Sequence, residues 1–263
     1  MVFTTRVDIA AMAVQIEPLE PLLFVGSCFA DSIGRRFVEE RFPATVNPFG
    51  VMYNPASVLH TVVRCDAAPR IAFLTLGTNH VYRLCETGEI VDNCQKRPAS
   101  LFQEEELSVE QCADYLSEAV DELRRRRANA HVIVTVSPIR YQKYGMHGSQ
   151  LSKATLLLAA DELTRRYPGS VSYFPAYEIV LDELRDYRFY PPDMLHPSPQ
   201  AVEYIWERLV ETCFSERAKR FLDEWRPVKQ ALAHRPFNPD SPEYQKFLAE
   251  ARRKEQDIME KYH

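Results

Sequence analysis

The chain has 263 residues, a formal net charge of −5 and 46% hydrophobic residues, a composition typical of a globular protein that buries a core. The acidic balance argues against nucleic-acid binding, and no apolar run approaches the roughly 20 residues that span a bilayer. Because the N-terminus shows no basic start followed by an apolar block, we expect no signal peptide and a cytoplasmic location.

Residues 1–21 read as an irregular lead-in, and the apolar run 22–25 then predicts a strand that ends at Gly26 and Ser27. Small residues and apolar residues at helical spacing follow, which predicts a tight turn and a helix. A serine there lies at the carboxyl end of a strand and at a helix N-terminus, where developing negative charge is favoured. It is also the usual position of an N-cap serine, so a catalytic role and a capping role both remain open.

Strands and helices alternate along the chain as far as residue 214. This order predicts a parallel sheet with helices on both faces, a three-layer α/β/α sandwich. We predict further strands at 44–46, 71–76, 131–136 and 171–174, a hairpin around 86–89, helices after Asn54, Ser108 and Ser198 and over 151–167, and loops at 140–150 and 185–199.

The composition shifts towards charged residues after Pro227. Residues 234–242 are rich in turn formers, and 243–261 predict a charged helix. We therefore divide the chain into an α/β domain, 1–230, and a C-terminal linker with a helix, 231–263. We interpret the second part as an appendage or as a contact between copies in a homo-oligomer.

Polar residues follow two of the predicted strands at the same expected sheet edge. Gly50 ends the turn Asn47–Gly50, and its small size lets the backbone N–H approach a bound group. Asn79 follows the strand 71–76, and its amide can donate a hydrogen bond to an oxyanion. Each residue taken alone is also ordinary turn chemistry.

Asp193 and His196 stand three residues apart in a predicted loop. A carboxylate at that spacing can fix the imidazole tautomer, and the imidazole could then accept a proton from Ser27. Alone, the pair could equally cap a helix or form half of a metal site, but no metalloprotease motif or carboxylate cluster accompanies it.

Together these residues supply the parts of acyl transfer at a serine. We predict Ser27 as the nucleophile, His196 as the base and Asp193 as the group that orients it. The oxyanion donors would be the N–H groups of Ser27 and Gly50 and the amide of Asn79. No metal and no cofactor is expected, since the six cysteines include no CxxC pair.

Other residues carry weaker expectations. Cys28 is an alternative nucleophile, but its position one residue into the helix predicts that it faces the core. Arg140, His147 and Lys153 could bind a substrate anion, and Tyr190 could wall a pocket with the other aromatics of its loop. Solvated, salt-bridged or packing roles fit these residues as well.

The chain contains the strings GSCFA at 26–30, NPFGVMYNP at 47–55, NCQK at 93–96, TVSPIR at 135–140 and the segment 173–196. These strings resemble the GSCFA family of the SGNH (GDSL-like) hydrolase superfamily, over about residues 20 to 215. The resemblance implies a flavodoxin-like sandwich with serine esterase or acyltransferase chemistry. Two departures are His80, where the superfamily usually has Asp, and Ser149, where the family often has Asn.

The leading expectation is therefore a serine esterase of the SGNH class that cleaves an acyl ester, such as an acetyl ester, of a small molecule or saccharide. Two alternatives stay open. An O-acyltransferase would pass the same acyl group to a sugar or another alcohol, and a non-catalytic binding module would keep only the fold.

Overall fold

The computed structural model describes residues 4–263, so residues 1–3 of the expected lead-in lie outside the described residues. The strands are β1 Leu22–Gly26, β2 Ala44–Val46, β3 Ile71–Leu76, β4 His80–Leu84, β5 Ile90–Val91, β6 Phe102–Glu106, β7 His131–Val136 and β8 Val171–Tyr173. The helices are α1 Cys28–Glu39, α2 Pro55–Arg64, α3 Val109–Arg126, α4 Gly145–Arg166, α5 Ala176–Glu178, α6 Pro199–Cys213, α7 Glu216–Ala233 and α8 Pro242–Tyr262.

The main sheet has five parallel strands in the order β2-β1-β3-β7-β8. In chain order this is 2-1-3-4-5, the flavodoxin-like arrangement, in which the direction of winding reverses between β1 and β3. Ligands of such sheets bind outside the carboxyl ends of the strands at that reversal. The topology thus directs attention to the residues that follow β1 and β3.

The sheet separates two hydrophobic cores, because successive side chains of a strand point to opposite faces. Leu22 and Phe24 join the core that contains α1, α6 and α7, and Leu23 and Val25 join the core that contains α2, α3 and α4. The expected three-layer α/β/α architecture is confirmed. A smaller antiparallel sheet, β5-β4-β6, branches off after β3 and includes the hairpin around residues 86–89.

Three helix starts follow the capping chemistry of the sequence. The Asn54 side chain accepts from the N–H of Ser57 at 2.9 Å, with proline at the first helical position. Ser108 forms a reciprocal capping box with Gln111, and Ser198 caps α6. These contacts satisfy N–H groups that have no partner within the helix, so the caps fix where each helix begins.

The loop expected at 140–150 is partly wrong, since α4 already begins at Gly145. The extra turns form because the hydroxyl of Ser149 accepts the N–H of Tyr141 at 3.2 Å, which folds the segment back on the helix. Gly145 enters the helix from a φ of +66°, a conformation that glycine adopts readily.

The C-terminal helices pack on the α/β domain. α7 runs through residue 230, and the ring of Tyr262 in α8 meets Phe221 of α7 at 5.3 Å. Arg41, just after α1, pairs with Glu255 of α8 at 2.6 Å. Among the described residues, we find no helix with the length and apolarity that crossing a membrane requires.

Replacing Gly26 with alanine should destabilise the fold strongly. Gly26 has a φ of +144°, and an added Cβ would lie 2.1 Å from the carbonyl oxygen of Thr75. Backbone strain at such a position costs about 1–3 kcal/mol, and the clash adds to it. Gly88→Ala is the control, because Gly88 has a φ of +74° but an added Cβ there would meet no atom within 4 Å. Urea unfolding should show a larger loss of unfolding free energy for Gly26→Ala than for Gly88→Ala. Equal losses for the two variants would contradict this account.

Candidate functional site

Ser27 is fully buried at the turn between β1 and α1. Its N–H donates to the carbonyl of Thr75 at 3.1 Å, and its hydroxyl accepts from the N–H of Phe29 at 3.3 Å. In this conformation the side chain serves as the N-cap of α1. Attack on a substrate would require that the hydroxyl leave this contact.

Cys28 differs from the expectation that it faces the core. The residue is only partly buried, and its Sγ lies 3.9 Å from the hydroxyl of Tyr53. The physical reason is its place at the very start of the helix. The positions that α1 buries begin one residue later, with Phe29 and Ala30, so Cys28 packs on the core only at its edge.

The three expected oxyanion donors all have acceptors within the protein. An oxyanion could use any of them only by replacing its present acceptor. The bonds are Ser27 N to Thr75 O at 3.1 Å, Gly50 N to Asn47 O at 2.8 Å and Asn79 Nδ2 to Leu107 O at 2.8 Å.

Asn47 holds the end of β1 in place, a role that the sequence analysis did not assign. Its Oδ1 accepts the N–H of Gly26 at 2.8 Å, and its Nδ2 donates to Asp31 at 2.6 Å. The N–H of Met52 donates to the carbonyl of Gly26 at 2.8 Å. The segment that follows β2 is therefore bonded to both polar groups of Gly26, directly beside Ser27 and Cys28.

Tyr53 and Tyr141 cover the carboxyl ends of β1 and β3. The carbonyl of Tyr53 accepts from the N–H groups of Gly77 and Thr78, both at 2.8 Å. The Tyr141 ring meets that of Tyr53 edge-on, with 6.1 Å between centroids. A Cβ on Gly77 would lie 2.2 Å from the Tyr141 hydroxyl, so only glycine lets the tyrosine lie there.

The hydroxyl of Tyr141 is buried and has no hydrogen-bond partner among residues 4–263. Below it, Lys153 is 2% exposed and donates to the carbonyl of Gly77 at 2.6 Å. Burial lowers the pKa of Lys153 to about 7, because the charged form is poorly solvated there. The site therefore contains a polar group that lacks a partner and an amine that can lose its charge near neutral pH.

Asp193 and His196 form a pair with defined geometry. Asp193 Oδ2 lies 2.7 Å from His196 Nδ1, and Oδ1 accepts the N–H groups of Leu195 at 2.8 Å and His196 at 3.1 Å. These hydrogen bonds hold the pKa of Asp193 below its ordinary value. The bond from the Leu195 N–H has the largest effect, and the bond from the His196 side chain comes next. When Nδ1–H donates to the carboxylate, Nε2 is the ring nitrogen that can accept a proton.

A backbone bond joins the loop of His196 to the segment after β7. The N–H of Arg140 donates to the carbonyl of Leu195 at 3.0 Å, next to Tyr141 in sequence. Within residues 4–263, no hydrogen bond links His196 to Ser27 or to Cys28.

Two of the three expected substrate-binding residues lie together. The Arg140 guanidinium lies 4.1 Å from the ring centroid of the buried Tyr190 and 5.4 Å from that of Tyr187. His147 lies apart from this stack, exposed on α4. Arg140, Tyr187 and Lys153 line a cavity of about 220 Å³.

Sequence reasoning missed Tyr53, Tyr141 and Asn47 as parts of the site. A weak signal was present, since Gly77 follows a buried strand and a glycine there permits close approach of another group. Nothing local in the sequence indicates that Tyr141 fills that space, because residues 77 and 141 are brought together only by the pairing of β3 with β7.

Comparison of the sequence with protein-family models decides the family. The model of the GSCFA family matches residues 21–70 and 67–209. The chain belongs to the GSCFA family. Residues 225–263 match the C-terminal domain of GSCFA domain proteins, and a search of curated proteins finds no matching sequence.

Solved structures similar to this GSCFA chain are described as lipases and esterases. A chain described as a GDSL-like lipase from Parabacteroides merdae is 11% identical, with a TM-score of 0.50 over 76% of this chain and 98% of that one. A GDSL-like lipase from Bacteroides thetaiotaomicron is 12% identical, with a TM-score of 0.47 over 73% and 86%. A family 3 carbohydrate esterase from Talaromyces cellulolyticus is 8% identical, with a TM-score of 0.44 over 78% and 98%.

At these identities the likeness concerns the fold alone. The similarity in fold rests on the structure from Parabacteroides merdae, which has the TM-score of 0.50. The GSCFA chain has a hydrolase-like fold of the GDSL type. The expected GSCFA family and the expected SGNH-like fold are thereby confirmed, whereas the triad, the oxyanion donors and the substrate-binding residues stay predictions.

Replacing Lys153 with methionine should change how stability depends on pH. The pKa of Lys153 is about 7 in the fold and 10.5 ordinarily, so the unfolded chain binds more protons between these values. The wild type should therefore gain stability as pH rises from 7 to 10.5, by at most about 1.4 kcal/mol per unit. Urea unfolding at several pH values should show this gain lost in Lys153→Met and kept in Lys246→Met, which alters an exposed lysine. Parallel curves for Lys153→Met and the wild type would contradict the prediction.

Proposed function

We propose that this GSCFA-family chain cleaves acyl esters, with His196 as general base and Asp193 as the group that orients it. The support is the 2.7 Å contact between Asp193 Oδ2 and His196 Nδ1, in a loop bonded to the segment that follows β7. A carboxylate in that position selects the tautomer whose Nε2 can accept a proton. A hydrolase-like fold with this pair at its ligand-binding edge favours acyl transfer over a binding role.

In the proposed reaction, His196 accepts the proton of a nucleophile at the turn between β1 and α1. The nucleophile attacks the ester carbonyl, and the N-terminus of α1 favours the oxyanion that forms. The protonated imidazole then gives its proton to the leaving alcohol. Water then hydrolyses the acyl-enzyme. His196 accepts a proton from the attacking water and returns a proton to the nucleophile. Ser27, the nucleophile expected from the sequence, could act only after it leaves its capping contact with Phe29.

The substrate we propose is an ester of a small molecule or a saccharide. One of the similar structures is described as a carbohydrate esterase, and Arg140 with Tyr187 and Tyr190 offers a cation and aromatic faces at the site. An O-acyltransferase would use the same acyl-enzyme with another alcohol in place of water. Analysis of products in the presence of competing alcohols separates these two reactions.

His196→Ala should lower kcat/KM for 4-nitrophenyl acetate by about 100-fold or more, because a general base contributes 10²–10⁴-fold. Asp193→Asn should also lower it, since the amide no longer selects the active tautomer. His234→Ala, a change beyond the end of α7 and outside the site, should behave like the wild type. Stopped-flow or plate kinetics measure all four proteins. Turnover that persists in His196→Ala would reject the proposed base.

A further inference from the structure

We propose that the nucleophile of this site is the thiol of Cys28 rather than the hydroxyl of Ser27. The inference rests on the proposed function and names the group that forms the acyl-enzyme. It follows from the environments of these two neighbouring residues. It also follows from the buried hydroxyl of Tyr141, which has no hydrogen-bond partner within residues 4–263.

The two residues at the turn have opposite environments. Ser27 has no exposed surface, and both its N–H and its hydroxyl have partners within the protein. Cys28 keeps part of its surface exposed, and its Sγ has one contact with a polar group, the Tyr53 hydroxyl at 3.9 Å. The thiol is therefore the more accessible of the two groups, whereas use of the hydroxyl requires that the helix lose its cap.

Cys28 belongs to a group of chemically active side chains. Tyr53 contacts the thiol, and the Tyr141 ring meets Tyr53 at 6.1 Å between centroids. Lys153 lies 5.1 Å from the centre of the Tyr141 ring. These residues gather at the carboxyl ends of β1, β3 and β7, where a flavodoxin-like sheet binds its ligands.

The Tyr141 hydroxyl is the second observation that points to a bound substrate. It is buried and has no partner within residues 4–263, although buried polar groups are nearly always paired. An ester carbonyl placed for attack by Cys28 would supply the missing acceptor. Tyr141 would then donate to the oxyanion, a role that the occupied groups of Gly50 and Asn79 leave open.

Other cysteines in the chain lack these features. Burial raises the pKa of both the Cys112 and the Cys213 thiols to about 12, and each lies in a hydrophobic core. Cys85 is exposed just after β4, a strand of the smaller sheet. Cys28 alone of these four stands at the start of a helix, where the free N–H groups of the first turn favour negative charge.

The proposed step balances as follows. As the bond between Sγ and the carbonyl carbon forms, the thiol proton passes to His196 Nε2 and the carbonyl electron pair moves onto oxygen. Collapse breaks the bond to the alcohol oxygen, which takes the proton from His196 and leaves a thioester on Cys28. Water then attacks, gives its proton to His196 and releases the carboxylic acid, while the sulfur regains a proton from His196.

The test locates the acyl group and its chemistry. The full chain is mixed with 4-nitrophenyl acetate, quenched in acid and analysed by peptide mass spectrometry, with and without neutral hydroxylamine. We expect an acetyl group on Cys28 that hydroxylamine removes, because a thioester reacts readily with it and a serine ester far less. An acetyl group on Ser27 that survives hydroxylamine would overturn the inference.

Matched variants separate the two residues. Cys28→Ala should lose the acetyl adduct and reduce turnover by about 100-fold or more, as loss of a nucleophile does. Ser27→Gly, which glycine's acceptance at N-caps makes tolerable, should still form the acetyl adduct on Cys28. Cys85→Ala should match the wild type. If Cys28→Ala keeps wild-type turnover while His196→Ala is inactive, the assignment of the thiol is overturned and the proposed function stands. If the wild type cleaves no ester, the proposed function is overturned as well.

Tyr141→Phe gives a readout that a merely structural role would not produce. The change removes a hydroxyl that has no hydrogen-bond partner within residues 4–263, so the unfolding midpoint in urea should not fall. Because the hydroxyl donates only to the oxyanion, kcat should fall by about 10-fold or more while KM changes little. A loss of stability with unchanged kcat would assign Tyr141 to packing and remove the second support for Cys28.

Discussion

Backbone hydrogen bonds at Gly26 hold the site together. Its N–H donates to the side chain of Asn47, and its carbonyl accepts from Met52, each at 2.8 Å. Gly26 has a φ of +144°, and the N–H of the next residue, Ser27, donates to the carbonyl of Thr75. The start of α1 is fixed by these contacts, so the positions of the buried serine and the partly buried thiol follow from the turn rather than from the helix.

The site combines a rigid frame with buried polar groups that the protein pairs only in part or not at all. Among residues 4–263, Lys153 is buried with a backbone carbonyl but no carboxylate as its partner, and the hydroxyl of Tyr141 has no partner. Such groups reduce stability, because burial removes them from water without full compensation. Proteins keep arrangements of this kind where a ligand completes them, which is why these two side chains direct attention to the carboxyl ends of β1 and β3.

Much of the fold could be predicted from the sequence, because local chemistry determines it. The buried strands β3 and β7 are continuous apolar runs, and the caps Asn54, Ser108 and Ser198 begin their helices where capping chemistry places them. The contact between Asp193 and His196 could also be predicted, because the two residues are three positions apart in one loop. The environments of Ser27 and Cys28 could not be read in this way, since they depend on Thr75 and Tyr53, which only the sheet brings near. Tyr141 escaped prediction for the same reason.

The claim at the centre of this account is that the start of α1 and the loop of His196 form one reactive site. A crystal structure of the full chain at neutral pH tests it most directly, through the distance from Cys28 Sγ to His196 Nε2. The account predicts a separation of about 3–5 Å, within hydrogen-bond reach once the looseness of a substrate-free site is allowed for. A separation greater than about 10 Å, with no space for the two groups to approach, would contradict it.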